Sequence, residues 1–420
     1  MPFKSLGLAD KLVQGILATG YEAPTEIQSH AIPIGVEGKD IIGIAQTGTG
    51  KTAAFVLPIL QRLSLYDELG HKGPKITQRV TRALIVTPTR ELALQIEESL
   101  KNYGRFLRLK SVTVYGGVSM DKQFRALDKG VDVIIATPGR LFDHIQRRTI
   151  NLSNIEILVL DEADRMFDMG FINDVKRIVA LIPKERQTML FSATMSKEIQ
   201  QLAAGILTHP KLIQVGKPHN PVESVQQHFY AVSQDQKLSL LHHIITSQNL
   251  DCVLVFSRTK HGADKITKRL EQQKIKAIAI HSNRSQSQRL RALEGFKRGH
   301  YNVLVATDIA ARGIDITGIS HVINYDTPTF AEDYIHRIGR TGRASATGDA
   351  LTFVSREEEK YLKSIEKFIG KKFEKKKYEG FTNAAPIQRI EKKEHFEELQ
   401  MQPLRKEHPR TSQHDERLPK

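Results

Sequence analysis

A chain of 420 residues, 40 % of them hydrophobic, is long enough for two to three domains with sizeable cores. Its formal net charge of +15 and isoelectric point near 9.6 exceed what an enzyme of small molecules needs, and they point to a polyanionic partner. The single cysteine, Cys252, opens an apolar strand as core filler and excludes an internal disulfide or a cysteine-rich metal site.

The start, Met1-Pro2-Phe3-Lys4-Ser5, has no signal-like apolar run, and no stretch is apolar enough over a membrane's thickness. A soluble, cytoplasmic protein without a membrane partner is therefore expected. The first element with chemical content is the apolar strand Ile41-Ile42-Gly43-Ile44, followed by Ala45-Gln46-Thr47-Gly48-Thr49-Gly50-Lys51-Thr52. A helix continues through Ala53, Ala54, Phe55, Leu57 and Leu60. The loop fits the phosphate-binding pattern G-x-x-x-x-G-K-[ST], with Ala45 in place of the first glycine. Gly48 and Gly50 let the backbone turn its N–H groups toward phosphate oxygens, and the helix N-terminus adds its dipole. Lys51 is placed to reach the outer phosphates and Thr52 to ligate Mg²⁺.

Further strands are expected at residues 83–87, 111–115, 131–136, 157–160 and 188–191, with helical stretches between them. In the stretch 91–103, Leu92, Ile96 and Leu100 recur at helical spacing. This alternation predicts a parallel sheet covered by helices on both faces. Gly70, Gly73 and Pro74 mark residues 66–79 as a surface loop.

The pattern pauses near His209-Pro210, and Gly216-Lys217-Pro218-His219-Asn220-Pro221 reads as a linker. Strands resume at 227–232, 252–256, 277–280, 303–307, 321–325 and 350–354. This second α/β half has no phosphate loop, because Ser257-Arg258-Thr259-Lys260 lacks a glycine pair. One loop for two domains suggests a nucleotide shared across a cleft. From Lys371 the composition turns basic and polar, and too few apolar residues remain to fold. The predicted division is therefore 1–213, a linker at 214–222, a second domain at 223–368 and a disordered charged tail at 369–420.

Two further runs carry chemistry. Asp161-Glu162-Ala163-Asp164 follows the apolar strand Ile157-Leu158-Val159-Leu160, at the ligand-binding edge of such a sheet. Asp161 is positioned to hold Mg²⁺, and Glu162 to orient and deprotonate an attacking water. His336-Arg337-Ile338-Gly339-Arg340-Thr341-Gly342-Arg343 sets guanidinium groups around two glycines. Arginines there can stabilise charge on a γ-phosphate in the transition state, or form a basic RNA-binding loop. The two roles are compatible.

In their order along the chain these motifs resemble the DEAD-box family of ATP-dependent RNA helicases, from Phe3 to about Ser355. The resemblance implies two tandem RecA-like domains, ATP and Mg²⁺ as ligands, and RNA as the polyanionic partner. Gly20-Tyr21-Glu22-Ala23-Pro24-Thr25-Glu26-Ile27-Gln28 is similar to the family's Q motif. It implies that Gln28 reads adenine, that Phe3 stacks on it, and that Tyr21 and Thr25 join the pocket. Ser192-Ala193-Thr194 matches the segment linking hydrolysis to domain closure. RNA contacts are implied for Pro88, Thr89, Arg90, Gly116, Gly117, Thr137, Pro138, Gly139 and Arg140 in the first domain. In the second they are implied for Ser257, Arg258, Gln286, Arg289 and Thr307. These groups suit backbone contacts that carry little sequence information. Arg312-Gly313-Ile314-Asp315 resembles the ribose-contacting segment, and Arg340 and Arg343 the arginines that reach the nucleotide. Asp164, Ser192, Thr194, Asp308, His336 and Arg337 are implied to couple the domains. Ser282 stands where the family commonly has glycine, so His281 is kept out of the expected site.

Thr194-Met195 and Thr307-Asp308-Ile309-Ala310-Ala311-Arg312 look most like the bacterial RhlE-type branch. The expected activity is ATP-dependent local opening of short RNA duplexes or remodelling of RNA–protein complexes, in ribosome assembly or mRNA decay. Two rivals are an ATP-gated RNA clamp with little turnover and a DNA helicase of the same superfamily.

Overall fold

The computed structural model describes residues 2–46, 48–68, 79–215, 225–311, 318–342 and 348–381. The linker 216–221 and the tail from 382 onward lie outside the described residues, as does most of the loop at 66–79, because the helix Lys51–Glu68 runs into its start.

Two sheets organise the chain. The first contains β1 (Ile41–Ile44), β2 (Ala83–Val86), β3 (Ser111–Val114), β4 (Val133–Ala136), β5 (Ile157–Leu160), β6 (Gln187–Ser192) and β7 (Lys211–Gln214). The second contains β8 (Val225–Ala231), β9 (Val253–Phe256), β10 (Ala277–Ile280), β11 (Val303–Ala306), β12 (His321–Asn324), β13 (Gly348–Val354) and β14 (Lys375–Lys376). The spatial order is β3-β4-β2-β5-β6-β1-β7 in one and β10-β11-β9-β12-β13-β8-β14 in the other. Renumbered from its own first strand, the second sheet repeats the first, and every pairing in both is parallel.

Central strands are buried along their whole length, as parallel sheets covered on both faces require. Alternate residues then feed opposite cores. Ile85, Val133, Ile157 and Phe191 face the layer of Phe55, Leu57 and Ile96, whereas Leu84, Ile134, Leu158 and Leu190 face that of Met166, Val175 and Ile199. Several helices begin on side chains that satisfy free backbone N–H groups. Thr89 Oγ1 accepts from Leu92 N (3.3 Å), and Thr25 with Gln28 forms a capping box at the start of Glu26–Val36.

Two expectations change here. The pause near 209 conceals β7, which pairs with β1 from Ile41↔Lys211 to Ile44↔Gln214. The expected disordered tail is folded as far as Phe381. β14 pairs with β8, and the Phe373 ring stacks on Phe229 at 4.4 Å. Tyr378 accepts from Gln248 Nε2 (2.8 Å) and, with Phe381, packs on the second core. The lysines at 371, 372 and 375–377 are exposed, while the aromatics spaced among them are the part that folds. Fully burying such a ring contributes about 1.5–3 kcal/mol, and three half-buried rings together hold a short segment that composition alone reads as solvated.

Candidate nucleotide site and nucleic-acid interface

Because β5, β6 and β1 are neighbours, the segments leaving their C-terminal ends share one edge of the first sheet. Ala45 N donates to Ser192 O (3.1 Å), tying the phosphate loop to the end of β6. Gly50 has φ +93°, and a Cβ there would lie 2.3 Å from Gln28 Nε2, so only glycine fits. A cleft of about 420 Å³ opens at this edge. Tyr21, Thr25, Gly48, Gly50, Lys51, Thr52, Asp161 and Glu162 line it, eight residues named from sequence, and Lys297 from the second half joins them. Gln46 and Thr49 brace the loop through Thr49 Oγ1→Gln46 O (2.8 Å). Thr47 lies outside the described residues.

The two carboxylates in the cleft are held differently. Burial, and then the neighbouring Glu162, push the Asp161 carboxyl up to about 7. Its Oδ1 accepts from Glu162 N (3.0 Å). Burial also acts to raise Glu162, but Arg165, Lys51 and Arg340 outweigh it and hold that carboxyl below the usual range. Arg165 Nη1 donates directly to Glu162 Oε2 (2.5 Å). Glu162 is therefore ionised at neutral pH, and its backbone is in the left-handed region (φ +52°), an unusual conformation for a non-glycine residue. Neighbouring carboxyls pushed apart in this way can take separate roles. The elevated Asp161 indicates a buried anion short of positive charge, which suits a divalent cation. Among the described residues no group of three or more His, Cys, Asp or Glu side chains could hold a metal. Asp161 and Thr52 offer two oxygen donors of the hard kind a magnesium ion takes.

Two members of the expected adenine set are placed otherwise. Phe3 is 1 % exposed within the first core and is not part of the cleft wall. Its ring anchors the N-terminal segment and offers no face to a base. Gln28 is fully buried, with Oε1 accepting from Thr25 N (3.0 Å) and Nε2 donating to Gly50 O (3.1 Å). In this arrangement its amide ties the helix cap to the phosphate loop. Gln28→Ala leaves both of those backbone groups without partners, each a loss of about 1–3 kcal/mol. We expect ATP binding to weaken at least about five-fold, measured by titration with a fluorescent ATP analogue. Unchanged affinity would remove Gln28 from the site.

The coupling residues divide into two groups. Asp164 Oδ2 accepts from Ala193 N (3.0 Å), Thr194 N (2.9 Å) and Thr194 Oγ1 (3.1 Å), and Asp164 N donates to Ser192 Oγ (3.3 Å). His336 crosses to the first half, its Nδ1 3.9 Å from Asp168 Oδ2. Burial lowers its pKa, while Asp168 and Asp164 pull it back up. Arg337 corrects the expectation. It is buried inside the second half, bidentate to Asp308 (2.6 and 2.8 Å), bonded to Asn324 and to Asp326 O, and set over the Phe256 ring at 4.9 Å. Arg337 and Asp308 satisfy each other and, among the described residues, reach none of the first half. Arg340 donates from Nε to His336 O (3.3 Å), and its charge contributes to holding Glu162 ionised.

The expected RNA-contacting segments lie at the same edges. Gly117 has φ +81°, and a Cβ there would strike Arg90 Nη1 at 2.1 Å, so the Gly116-Gly117 pair is the bed of the Arg90 guanidinium. Arg140 Nη1 donates to Val118 O (3.1 Å). Burial lowers the pKa of Arg90, and Arg289 and Arg140 lower it further. Glu91 pulls it partly back, and Arg90 and Arg140 of the first half remain within electrostatic reach of each other, an arrangement relieved by a polyanion. Pro88 and Thr89 are buried at one helix start, and Thr137 and Pro138 at another, where proline takes the first helical turn. Gly139 is exposed beside them. Thr307 N donates to Ile280 O (3.4 Å).

Gln286 and Arg289 correct the reading as well. Both are buried against Glu91 of the first half. Gln286 Nε2 donates to Glu91 Oε1 (3.0 Å), and Arg289 Nε forms an ion pair with the same oxygen (2.9 Å). They clasp the two halves together, with Glu91 as the missed partner. Glu91 lies inside Pro88-Thr89-Arg90-Glu91-Leu92, and the signal was an acid beside an arginine expected to meet a polyanion. Arg165 was missed too, although its spacing of three from Glu162 on a helix is a pairing distance. Ser282 is half of another correction, since it does not have positive φ and the feared strain is absent. His281 is buried, with Nε2 2.9 Å from Asp264 Oδ1, outside the cleft. Arg312, Gly313, Ile314, Asp315 and Arg343 lie outside the described residues.

A profile of the DEAD/DEAH box helicases matches residues 25–202, and one of the helicase conserved C-terminal domain matches residues 236–345. The DEAD-box ATP-dependent RNA helicase CshA of Bacillus subtilis (strain 168) is 42 % identical over 375 residues, 89 % of this chain and 74 % of that protein. CshA of Geobacillus kaustophilus (strain HTA426) is 42 % identical over 375 residues, 89 % and 78 % of the two chains. The structure of S. cerevisiae Dbp5 bound to RNA and ADP BeF3 superposes with a TM-score of 0.75 at 31 % identity, covering 90 % of this chain and 95 % of that one.

Proposed function

The chain belongs to the DEAD-box family of ATP-dependent RNA helicases, and we propose that it opens short RNA duplexes by closing and reopening the cleft between its two halves. It is an RNA-stimulated ATPase and helicase with two RecA-like domains. The observation that carries the mechanism is the composition of the cleft: Lys51, Thr52, Asp161 and Glu162 from one domain, under the charge of Arg340 from the other. Neither half completes it alone.

ATP binds with its phosphates at the loop between Gly48 and Thr52, where backbone N–H groups and Lys51 meet them. Asp161 and Thr52 would hold Mg²⁺, which would neutralise charge on the phosphate oxygens. Glu162, held ionised by Arg165, takes the proton of a water as that water's oxygen attacks the γ-phosphorus and the bond to the β-phosphate oxygen breaks. Arg340 stabilises the charge that develops. RNA lies along Arg90, Arg140 and Arg258, read through its backbone. A first domain running through β7 to about Gln214 and a second running from β8 to about Phe381 fit this division better than bounds at 213 and 368.

The RhlE-type assignment rests on two short runs, while the CshA relatives, a different branch, match over 89 % of the chain. The family reading stands without either branch. Cytoplasmic action on ribosomal particles or on mRNA undergoing decay remains the proposed setting. Among the described residues no helix is long and apolar enough to cross a membrane.

Phosphate release with single-stranded RNA, duplex RNA and DNA of the same sequence tests this reading. RNA is expected to raise turnover strongly and DNA hardly at all. Equal activation by DNA would favour the DNA-helicase rival, and no activation with tight RNA binding would favour the clamp.

A further inference from the structure

Among the described residues Phe330 is the most exposed of the large hydrophobic side chains, at 67 %. It is also the N-cap of the helix Ala331–Ile338 and makes no capping hydrogen bond. Ser, Thr, Asp or Asn at a cap contributes about 1 kcal/mol, and burying a phenyl ring about 1.5–3 kcal/mol. Phe330 does neither, so stability does not account for it.

Its neighbours are informative. Three residues earlier, Thr327 O accepts from Arg258 Nη2 (3.3 Å). Three residues of chain span at most about 10 Å between Cα atoms, so Phe330 sits on the same short segment, between β12 and the following helix, that receives the Arg258 guanidinium. Arg258 is held firmly. Its Nη2 also donates to Glu358 Oε1 (2.9 Å), and its backbone N donates to Asp326 Oδ2 (2.9 Å). Glu358 is in turn locked by Lys237, a fully buried lysine that donates to Glu358 Oε2 (2.6 Å) and to Tyr325 O (2.8 Å). The Arg258 side chain is nevertheless 41 % exposed. Its guanidinium and the Lys360 ammonium both lie over the Tyr361 ring, at 5.2 and 5.0 Å. Tyr361 is thus occupied by cations, whereas among the described residues no ring or cation meets Phe330.

We propose that Phe330 is a stacking platform for one unpaired base of the RNA, placed beside the phosphate held by Arg258. Lys237 and Glu358 are positioning residues for that arginine. The proposal rests on the RNA-helicase reading and adds a subsite to it. Charge decides which part of the nucleotide meets Phe330. Arg258 and Lys360 attract phosphate, while exposed Glu332, on the turn after Phe330, repels it. A neutral base face against the ring satisfies both. Stacking of this kind reads no sequence, in keeping with a backbone-reading enzyme.

The test uses the full chain with a non-hydrolysable ATP analogue and single-stranded RNA carrying 2-aminopurine at successive positions. One position is expected to be quenched in wild type and in Phe330→Tyr, but not in Phe330→Ala. Phe330→Ala should bind the intact strand about 5- to 100-fold more weakly, the range for loss of one stacked base. An abasic nucleotide at the quenched position should cost wild type the same factor and cost Phe330→Ala nothing. Wild-type affinity and quenching in Phe330→Ala would overturn the proposal, and would leave the exposed ring to a protein partner. RNA-stimulated phosphate release in the same samples separates the outcomes. If it persists in wild type while the Phe330 result is negative, the subsite alone is wrong. If it is absent, the helicase reading fails first.

Discussion

Glu162→Gln is expected to lower ATP turnover by about 10²–10⁴ while ATP and RNA binding persist. The amide keeps an oxygen for Arg165 Nη1, so the local packing survives, but it cannot accept the water's proton. The carboxyl of Glu162 is held below the usual range, so in wild type the base is ready across neutral pH. The sign follows from linkage: its ionised form is present above that depressed pKa and is lost only as pH falls through it. The variant should therefore accumulate a long-lived ternary complex, visible as RNA retained with unhydrolysed ATP in single-turnover quench experiments. Wild-type turnover in Glu162→Gln would remove Glu162 from the mechanism.

Arg340→Ala should be more severe still, about 10³–10⁵ in turnover, because a guanidinium supplied to a γ-phosphate acts mainly on the transition state. Arg340 stands where the second domain's charge reaches Glu162, with Nε anchored on His336 O. RNA binding without nucleotide should be unaffected, because the Arg90, Arg140 and Arg258 contacts do not involve it. Arg340→Lys restores the charge but not the planar fork, and an intermediate rate is expected. Turnover within a few-fold of wild type in Arg340→Ala would mean that the second domain contributes no charge to the reaction.

The sheet was legible because parallel strands covered on both faces are continuous apolar runs. Runs such as Ala83–Val86 and Ile157–Leu160 announce themselves. What escaped were β7 and β14, the seventh strands of the two sheets, and they escaped for one physical reason. Each is a short edge strand, exposed except at Ile213 in β7, so neither carries the apolar signature. Their backbone partners, β1 and β8, hold them instead. The repeat of strand order was hidden with them.

The nucleotide residues were legible because loop, helix start and strand end are fixed by local sequence. Partners were not. Gln28 and Phe3 were read as ligand contacts, yet one braces Gly50 and the other fills the core. Arg337 and Asp308 were read as a bridge between domains and are a pair within one. Gln286 and Arg289 were read as RNA contacts and instead hold Glu91, 195 residues from Gln286 along the chain. A charged side chain advertises that it has a partner but not which one, and only the fold supplies that.

The central claim is that ATP and RNA favour the same closed arrangement of the two domains. RNA affinity measured on the full chain with a non-hydrolysable ATP analogue, with ADP and with no nucleotide tests it most directly. The account predicts tighter binding with the ATP analogue than in the other two conditions, by about 1–3 kcal/mol, with RNA tightening the analogue by the same factor. Arg340→Ala should shrink that difference. Equal RNA affinity in all three conditions would contradict the account, because hydrolysis would then have no tightly bound state to release.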